Sequence, residues 1–212
     1  MMRILLVENG PNVARSFSYL SGQTDITVVK PYCYEKYPAP KEFDAIIVTG
    51  GRDSIGDSKY FPYLKIEAQF LLRAMNLRVP ILGICLGCQI IADALGGIVS
   101  VSSFELGWIK ITLTTAGLEN PLFRNVPRSF YAFERHRDVI THLPPGAIRL
   151  AKSDSCKIQA FQYKDKPIWG LQFHPENKRG NNKAMDSIKE TNNAILRNFL
   201  EYTRSENGNK GN

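Results

Sequence analysis

The stretch from Val79 to Ile91 constrains the fold more than any other part of the sequence. Its residues 81–84 form a short apolar run, which predicts a strand buried on both faces. From Leu86 onward the apolar residues recur at helical spacing, until Gly96-Gly97 ends the pattern. Cys85 therefore lies where a buried strand turns sharply into a helix, and the glycines on either side of it permit that turn.

A cysteine in such a turn can act as a nucleophile. The N-terminus of a helix favours the reactive thiolate, and the N–H of Leu86 can point at an oxyanion formed by attack of Cys85. Two alternatives remain for Cys85. It could be a small apolar residue that only fills space in the core, or it could form a redox dithiol with Cys88. A zinc site would need a second ligand pair, yet Cys33 and Cys156 stand singly in the sequence. The flanking glycines favour the nucleophile, and no metal site is predicted.

The first half of the chain alternates strands and helices. Strands are predicted at 3–8, 26–29 and 45–48, and an amphipathic helix at 63–76. The predicted core stripe of this helix is Leu64, Ala68, Leu71, Leu72 and Met75. Such alternation implies a parallel sheet with right-handed crossovers, whose site lies at the carboxyl ends of the strands. Gly51 follows the third strand, so its N–H is a second candidate oxyanion donor, although an ordinary strand-to-helix turn explains the double glycine equally well.

The second half changes to short β-like runs, at 98–101, 108–113, 130–133, 148–151, 158–163 and 168–173. Turn-forming residues separate them, which predicts a mixed or antiparallel extension of the same sheet. A final helix is predicted at 185–202. Residues 205–212 carry no apolar side chain and are expected to be a disordered tail, so a single domain is predicted over 1–204.

Composition narrows the functional classes. With 212 residues, 43% of them hydrophobic, the chain can build one α/β domain with a sizeable core. Its net charge of +7 is spread along the sequence without dense Lys/Arg clusters, so no nucleic-acid binding is expected. No apolar stretch is long enough to span a bilayer, and the N-terminal run at 4–7 is too short for a signal peptide. We therefore expect a cytoplasmic protein without a membrane partner.

A base for the nucleophile is available at the end of a late strand. Pro175 forces His174 into an extended conformation, and in extended chain Glu176 lies on the same face as His174. The carboxylate can accept the imidazole Nδ1–H and leave Nε2 free to take a proton from Cys85. A strand-end histidine beside a surface glutamate is the plainer alternative. His136, in a polar cluster, is the replacement base if His174 proves remote.

Three motifs in the same order resemble those of class I, triad-type glutamine amidotransferases: Gly50-Gly51, the run Gly83–Gln89, and Phe173–Glu176. The resemblance covers nearly the whole chain. Within the family it is closest to the glutaminase subunit or domain of GMP synthetase and its stand-alone relatives, through Glu105–Trp108 and His136–Asp138. It implies a single-domain, three-layer, flavodoxin-like α/β sandwich with a mostly parallel central sheet and an antiparallel extension in the C-terminal half.

The resemblance also implies a reaction, the hydrolysis of the side-chain amide of L-glutamine. Cys85 would attack the carboxamide, His174 would act as base and then as acid, and Glu176 would orient the imidazole. The amides of Gly51 and Leu86 would form the oxyanion hole.

Substrate and partner follow from the same resemblance. Gln89 and the backbone around Arg137 and Asp138 would hold the glutamine. Ammonia would pass to a separate synthetase (ATP pyrophosphatase) subunit in a hetero-oligomer, which adenylates XMP for GMP synthesis. ATP and magnesium are expected on that partner, with no cofactor in this chain.

The chain departs from the family pattern in three places. Cys88 adds a second thiol, Arg52 stands where proline is usual, and Arg135 and Arg137 replace a serine and a glycine. Arginines at the site could instead recognise a carboxylate-rich substrate. A self-sufficient hydrolase of γ-glutamyl compounds on the same triad is therefore the alternative function. A regulatory protein that has retained the fold is a third hypothesis.

Overall fold

The computed structural model describes residues 1–20, 22, 24–57, 59, 61–163, 166–180 and 183–209. Its strands are β1 (Met2–Val7), β2 (Thr24–Val29), β3 (Ala45–Val48), β4 (Ile81–Ile84), β5 (Ile98–Leu113), β6 (Ser129–His142), β7 (Ala147–Lys152), β8 (Ala160–Tyr163) and β9 (Ile168–Leu171). Its α-helices are α1 (Tyr63–Asn76), α2 (Leu86–Ala94), α3 (Thr115–Leu118) and α4 (Lys183–Asn209). Short 3-10 helices lie at Val13–Leu20, Pro31–Cys33, Pro40–Glu42, Ile55–Asp57 and Pro121–Phe123.

Within the described residues the nine strands form one mixed sheet in the order β2-β1-β3-β4-β9-β8-β7-β5-β6. The first five strands in this order are parallel, and those from β9 to β6 are antiparallel to their neighbours. This confirms the predicted α/β fold with an antiparallel extension in the C-terminal half. Among the described strands the sheet is evenly mixed and not mostly parallel, with four parallel and four antiparallel pairings. In a parallel sheet the strands point the same way, so β1, β3, β4 and β9 all end at one edge.

Helices cover both faces of the sheet and make a three-layer sandwich. Successive residues of β1 alternate between two core clusters: Ile4 and Leu6 pack in the cluster that contains α4, and Leu5 and Val7 in the cluster that contains α1 and α2. Because both faces are covered, the central strands β3, β4 and β9 are buried along their whole length and form short apolar runs, which is why the sequence predicted them.

The antiparallel half contains the largest departure from the prediction. The single strand β6 spans Ser129–His142, whereas the sequence predicted only 130–133. From Glu134 onward its buried residues are mostly polar, including His136 and Asp138, while the arginines between them face solvent. Strand alternation is therefore present, but its inward face is polar, and a search for alternating apolar residues does not find it.

Helix α1 has the predicted bounds, yet its buried stripe includes a carboxylate. Leu72, expected in the core, is 37% exposed, whereas Glu67 is fully buried. Glu67 accepts hydrogen bonds from Asn9 Nδ2 at 2.8 Å and from the Tyr37 hydroxyl at 3.1 Å. Burial raises the pKa of Glu67 to about 7, although both hydrogen bonds oppose the shift.

Helix α4 runs seven residues beyond its predicted end at Tyr202, so 205–209 are helical and not disordered. Phe199, Leu200 and Thr203 anchor it in the core, and a helix already nucleated continues at low cost through polar residues. Residues 210–212 lie outside the described part of the chain. Among the described residues, no helix combines the length and the apolar composition needed to cross a bilayer.

The buried carboxyl of Glu67 predicts a pH-dependent stability. Between the ordinary pKa of 4.5 and about 7 the folded chain binds more protons than the unfolded chain. The free energy of unfolding should therefore fall by about 3 kcal/mol as pH rises through this window. The isosteric Glu67→Gln variant has no such group and should lose less stability between pH 5 and pH 8. Urea denaturation at both pH values measures the difference. The exposed Glu119→Gln is the control, and equal losses in wild type and Glu67→Gln would contradict the prediction.

Candidate active site

The carboxyl ends of the parallel strands open into a cavity of about 820 Å³. Its lining includes all eight residues that the sequence nominated for the site: Gly51, Cys85, Leu86, Gln89, Arg137, Asp138, His174 and Glu176. The volume is within the range of small-molecule sites. Residues from both halves of the sheet thus meet at one edge.

Cys85 lies at the N-terminus of α2 in a strained conformation, with φ 51° and ψ −108°. Its N–H donates to the Leu171 carbonyl at 2.7 Å, and its own carbonyl accepts from Gln89 N at 3.0 Å. A non-glycine residue at positive φ is uncommon and persists only where neighbouring contacts enforce it. The backbone therefore has the form of a nucleophile elbow, as the sequence predicted.

His174 is held in place by its backbone N–H and by the ring nitrogen Nδ1. His174 N donates to the Phe133 carbonyl at 2.8 Å, which ties the end of β9 to β6. The ring Nδ1 lies 2.8 Å from Oε1 of the buried Glu176. With Nδ1–H donating to the carboxylate, Nε2 is the nitrogen free to exchange a proton.

The charges around His174 favour its protonated form. Burial by itself lowers the pKa of the imidazole, but the charge of Glu176, the neighbouring Cys85 and the hydrogen bond to Glu176 raise it well above its usual range. Nε2 is buried and makes no hydrogen bond of regular geometry with the described residues. Catalytic hydrogen bonds are often poorly aligned before substrate binds. The raised pKa of the imidazole suits a group that holds a proton beside the sulfur.

Gly50 separates the cysteine from the histidine. A Cβ at this position would lie 2.8 Å from His174 Cε1 and 3.2 Å from Cys85 Cβ. Both side chains therefore pack closely against Gly50, and a methyl group at this position would collide with the imidazole. Cys85 Sγ also lies 3.9 Å from the Arg135 carbonyl. The structure thus brings together the three side chains that the sequence nominated, and His136 is not needed as a replacement base.

The two nominated oxyanion donors are adjacent. Leu86 is the first residue of α2, so its N–H has no acceptor within the helix. A Cβ at Gly51 would lie 2.6 Å from Leu86 Cδ2 and 2.7 Å from the Asn9 carbonyl. This tight packing sets the Gly51 backbone against the side chain of the first residue of α2, so the two residues predicted to donate to the oxyanion are neighbours.

The residues predicted to bind the substrate are connected by hydrogen bonds in the wall of the cavity. Gln89 Nε2 donates to the Asp138 carbonyl at 2.8 Å and to Gln172 Oε1 at 3.2 Å. The Asp138 carboxylate accepts a hydrogen bond from the Ser54 hydroxyl, which links β6 to the loop after Gly51. Arg137 is largely exposed at the rim. Gln89 therefore fixes the wall at Asp138 through its amide nitrogen.

The structure disfavours a redox dithiol. Cys85 and Cys88 belong to different core clusters, and a Cβ at Gly170 would lie 2.7 Å from Cys88 Sγ, which shows how tightly that sulfur is enclosed. Burial raises the pKa of the Cys88 thiol well above its ordinary value. A buried, protonated thiol is a poor partner in disulfide exchange.

The hydrogen bonds of Asn9 next to the Gly50-Gly51 turn were not predicted from the sequence. Asn9 N donates to Thr49 Oγ1 at 2.9 Å, and Asn9 Nδ2 donates to Glu67. Asn9 lies two residues after the end of β1, at the same edge of the sheet as Gly50-Gly51. This position at the end of a strand is the feature of the sequence that could have identified it. Lys178 and Arg179, which come two and three residues after Glu176, also line the cavity and were not predicted to do so.

The glutamine amidotransferase class-I family model matches residues 5–190. The chain belongs to this family. It is 36% identical over 202 residues to a glutamine-hydrolyzing GMP synthase subunit of Methanocaldococcus jannaschii, covering 93% of this chain and 96% of the relative. It is 43% identical over 179 residues to the protein of the same name from Thermococcus kodakarensis, covering 82% and 88%. A glutamine amidotransferase structure from Thermotoga maritima superimposes with a TM-score of 0.82 at 23% identity, over 95% of this chain and 97% of that one, which shows the shared fold.

For this class-I amidotransferase, Gly50→Ala should lower glutamine hydrolysis by about a hundredfold, because the added methyl group displaces the imidazole from the thiol. The matched control is Gly22→Ala, where an added Cβ meets nothing within 4 Å. Steady-state assays compare the variants, and thermal melts confirm that both are folded. A folded Gly50→Ala variant with wild-type turnover would contradict the proximity of the two side chains.

Glu176→Gln should lower the pKa of His174, because the charge that raises it is removed. An NMR titration of the imidazole resonances measures the change, with the surface Glu190→Gln as the control. Because the folded chain binds the His174 proton more tightly than the unfolded chain, the charged imidazole stabilises the wild type at low pH. This contribution is fully present below the pKa of the unfolded state and is lost as pH rises through the raised pKa of the folded state. An unchanged His174 titration would show that Glu176 does not act on the ring.

Proposed function

We propose that this chain is the glutamine-hydrolysing subunit of a two-subunit GMP synthase. The observation that carries the proposal is the convergence of Cys85, His174 and Glu176 at the cavity beside the Gly50-Gly51 turn. The relatives described above, which are named as GMP synthase subunits and align over most of their length, support the pathway.

In the first half-reaction the Cys85 thiolate attacks the side-chain carboxamide carbon of L-glutamine. A carbon–sulfur bond forms, and the carbonyl oxygen takes the negative charge. The N–H groups of Gly51 and Leu86 stabilise this oxyanion. His174 then gives its proton to the amide nitrogen, ammonia leaves, and a γ-glutamyl thioester remains on the sulfur.

In the second half-reaction water releases the product. His174, now neutral, removes a proton from the water molecule as its oxygen attacks the thioester carbon. Glutamate leaves and the thiolate and imidazolium are restored, so no redox equivalent or cofactor in this chain is consumed. Glu176 holds the ring in the tautomer that both steps need.

The cavity wall supplies the substrate contacts. Gln89 secures the backbone at Asp138, and we assign to this backbone and to Gln89 the positioning of the glutamine. The guanidinium of Arg137 at the rim can pair with its α-carboxylate. Holding the substrate in one orientation places its carboxamide against the sulfur.

The ammonia acceptor lies on a partner. We assign XMP adenylation, ATP and magnesium to a separate synthetase subunit that forms a hetero-oligomer with this chain. Phe104 lines the mouth of the cavity and is 60% exposed, and nearby Leu106 is 56% exposed. Exposed apolar residues at a cavity mouth suit a docking face that covers the site and receives the ammonia.

The test combines labelling with a partner assay. A glutamine-like chloroketone should alkylate Cys85, as shown by mass mapping, and Cys85→Ala should abolish both labelling and hydrolysis. Cys33→Ala and Cys88→Ser are matched controls and should retain both. Labelling at Cys88, or equal damage from Cys88→Ser, would contradict the triad.

The pathway is tested separately from the chemistry. Glutamine hydrolysis should rise sharply when a purified synthetase subunit, XMP and ATP-Mg are added, and GMP should form. Full turnover of γ-glutamyl compounds without any partner would replace the GMP assignment with the self-sufficient hydrolase while leaving the triad intact.

A further inference from the structure

A second cluster of polar side chains lies on the β5–β6 hairpin, behind the wall of the cavity. Glu105 of β5 is paired directly with His136 of β6. Glu134 precedes His136 by two residues in the same strand, so its side chain projects from the same face. Three potential metal ligands thus share one face of two neighbouring strands, and their ligand atoms all lie within 4.8 Å of one another.

The three side chains are almost completely removed from solvent. The side chains of Glu105, Glu134 and His136 are 10%, 0% and 1% exposed. His136 Nε2 lies 3.1 Å from Glu105 Oε2 and 3.0 Å from Glu134 Oε2. One nitrogen atom therefore faces two carboxylate oxygens in a largely buried environment.

A single imidazole does not satisfy this cluster. Nε2 carries at most one hydrogen, so it cannot donate along both directions, and a protonated ring offers one positive charge to two negative ones. Among the described residues, neither Glu134 Oε1 nor His136 Nδ1 has a hydrogen-bond partner. Buried charges that are not balanced in this way cost several kcal/mol. A cation bound among the three side chains would balance the two carboxylates.

We propose that Glu105, Glu134 and His136 form a binding site for a divalent transition-metal ion of the Zn²⁺ class. One imidazole nitrogen and two carboxylate oxygens are a ligand set that such ions accept. Bonds of the usual length place neighbouring ligands about 3.0–3.4 Å apart, which is close to the two measured separations. His136 also lines the cavity, so that side can supply a water molecule as the remaining ligand.

A bound ion would fix the strand that shapes the active site. Arg135, between the two β6 ligands, presents its carbonyl to Cys85 Sγ, and the Phe133 carbonyl accepts from His174 N. Both acceptors therefore lie within one residue of a metal ligand. The ion would act on stability and on the position of β6, and the site stands independently of the proposed reaction.

The decisive measurement is metal binding by the full chain in a Cys85→Ala background, which removes the competing thiolate beside His174. After removal of metal with EDTA, calorimetric titration with ZnCl₂ should give one equivalent. The melting temperature should rise by about 5–10 °C at a hundredfold excess of free Zn²⁺ over Kd. Adding Glu134→Gln should weaken binding by about a hundredfold or more. His142→Asn, which alters an exposed histidine at the end of β6, should leave binding unchanged.

Cobalt identifies the ligands. When Co²⁺ is added to the Cys85→Ala protein, the visible absorption bands should be those of a cobalt ion with nitrogen and oxygen ligands. These bands should be absent when Glu134→Gln is added. Glu105→Gln, at the most accessible ligand, serves if Glu134→Gln does not fold, and it should weaken binding in the same direction. No binding, binding unaffected by both glutamine variants, or a thiolate-to-cobalt charge-transfer band would each overturn the proposal. In the first case the cluster is a proton shared between an imidazole and two carboxylates.

Discussion

The site depends on the backbone strain at Cys85. A positive φ at a residue with a side chain costs about 1–3 kcal/mol, and here the parallel sheet sustains it. The Cys85 N–H is held by Leu171 of β9, and the first turn of α2 lies so close to β3 that a Cβ at Gly87 would be 2.4 Å from the Val48 carbonyl. Strand, turn and helix therefore fit together only with the sulfur raised toward the cavity, above a helix N-terminus.

The antiparallel strand β6 provides the acceptors for side-chain and backbone groups of the parallel half of the sheet. Three contacts reach β6 from the parallel side: His174 N to the Phe133 carbonyl, Gln89 to the Asp138 carbonyl, and Cys85 Sγ to the Arg135 carbonyl. Each uses a backbone oxygen of the same strand. The position of β6 consequently influences how Cys85, His174 and Gln89 lie relative to one another.

Buried polar groups surround this arrangement on two sides. Glu67 supports the Gly50-Gly51 turn through Asn9, and Glu134 and His136 belong to β6, the strand whose Arg135 carbonyl faces the sulfur. Such groups are stable only when hydrogen-bonded or neutralised, so each fixes its neighbours in one arrangement. The candidate site is thus held by polar networks as well as by the apolar core.

The sequence by itself determined the elements whose physics is local. Strands buried on both faces read as short apolar runs, the flanking glycines revealed the turn at Cys85, and Pro175 set His174 and Glu176 on one face. Only the tertiary structure decided the length of β6, the burial of Glu67, the exposure of Leu72 and the meeting of His136 with two carboxylates. Local patterns report burial when the inward side chains are apolar. In these places the inward side chains are polar, or the partners come from distant strands, and only the folded sheet brings them together.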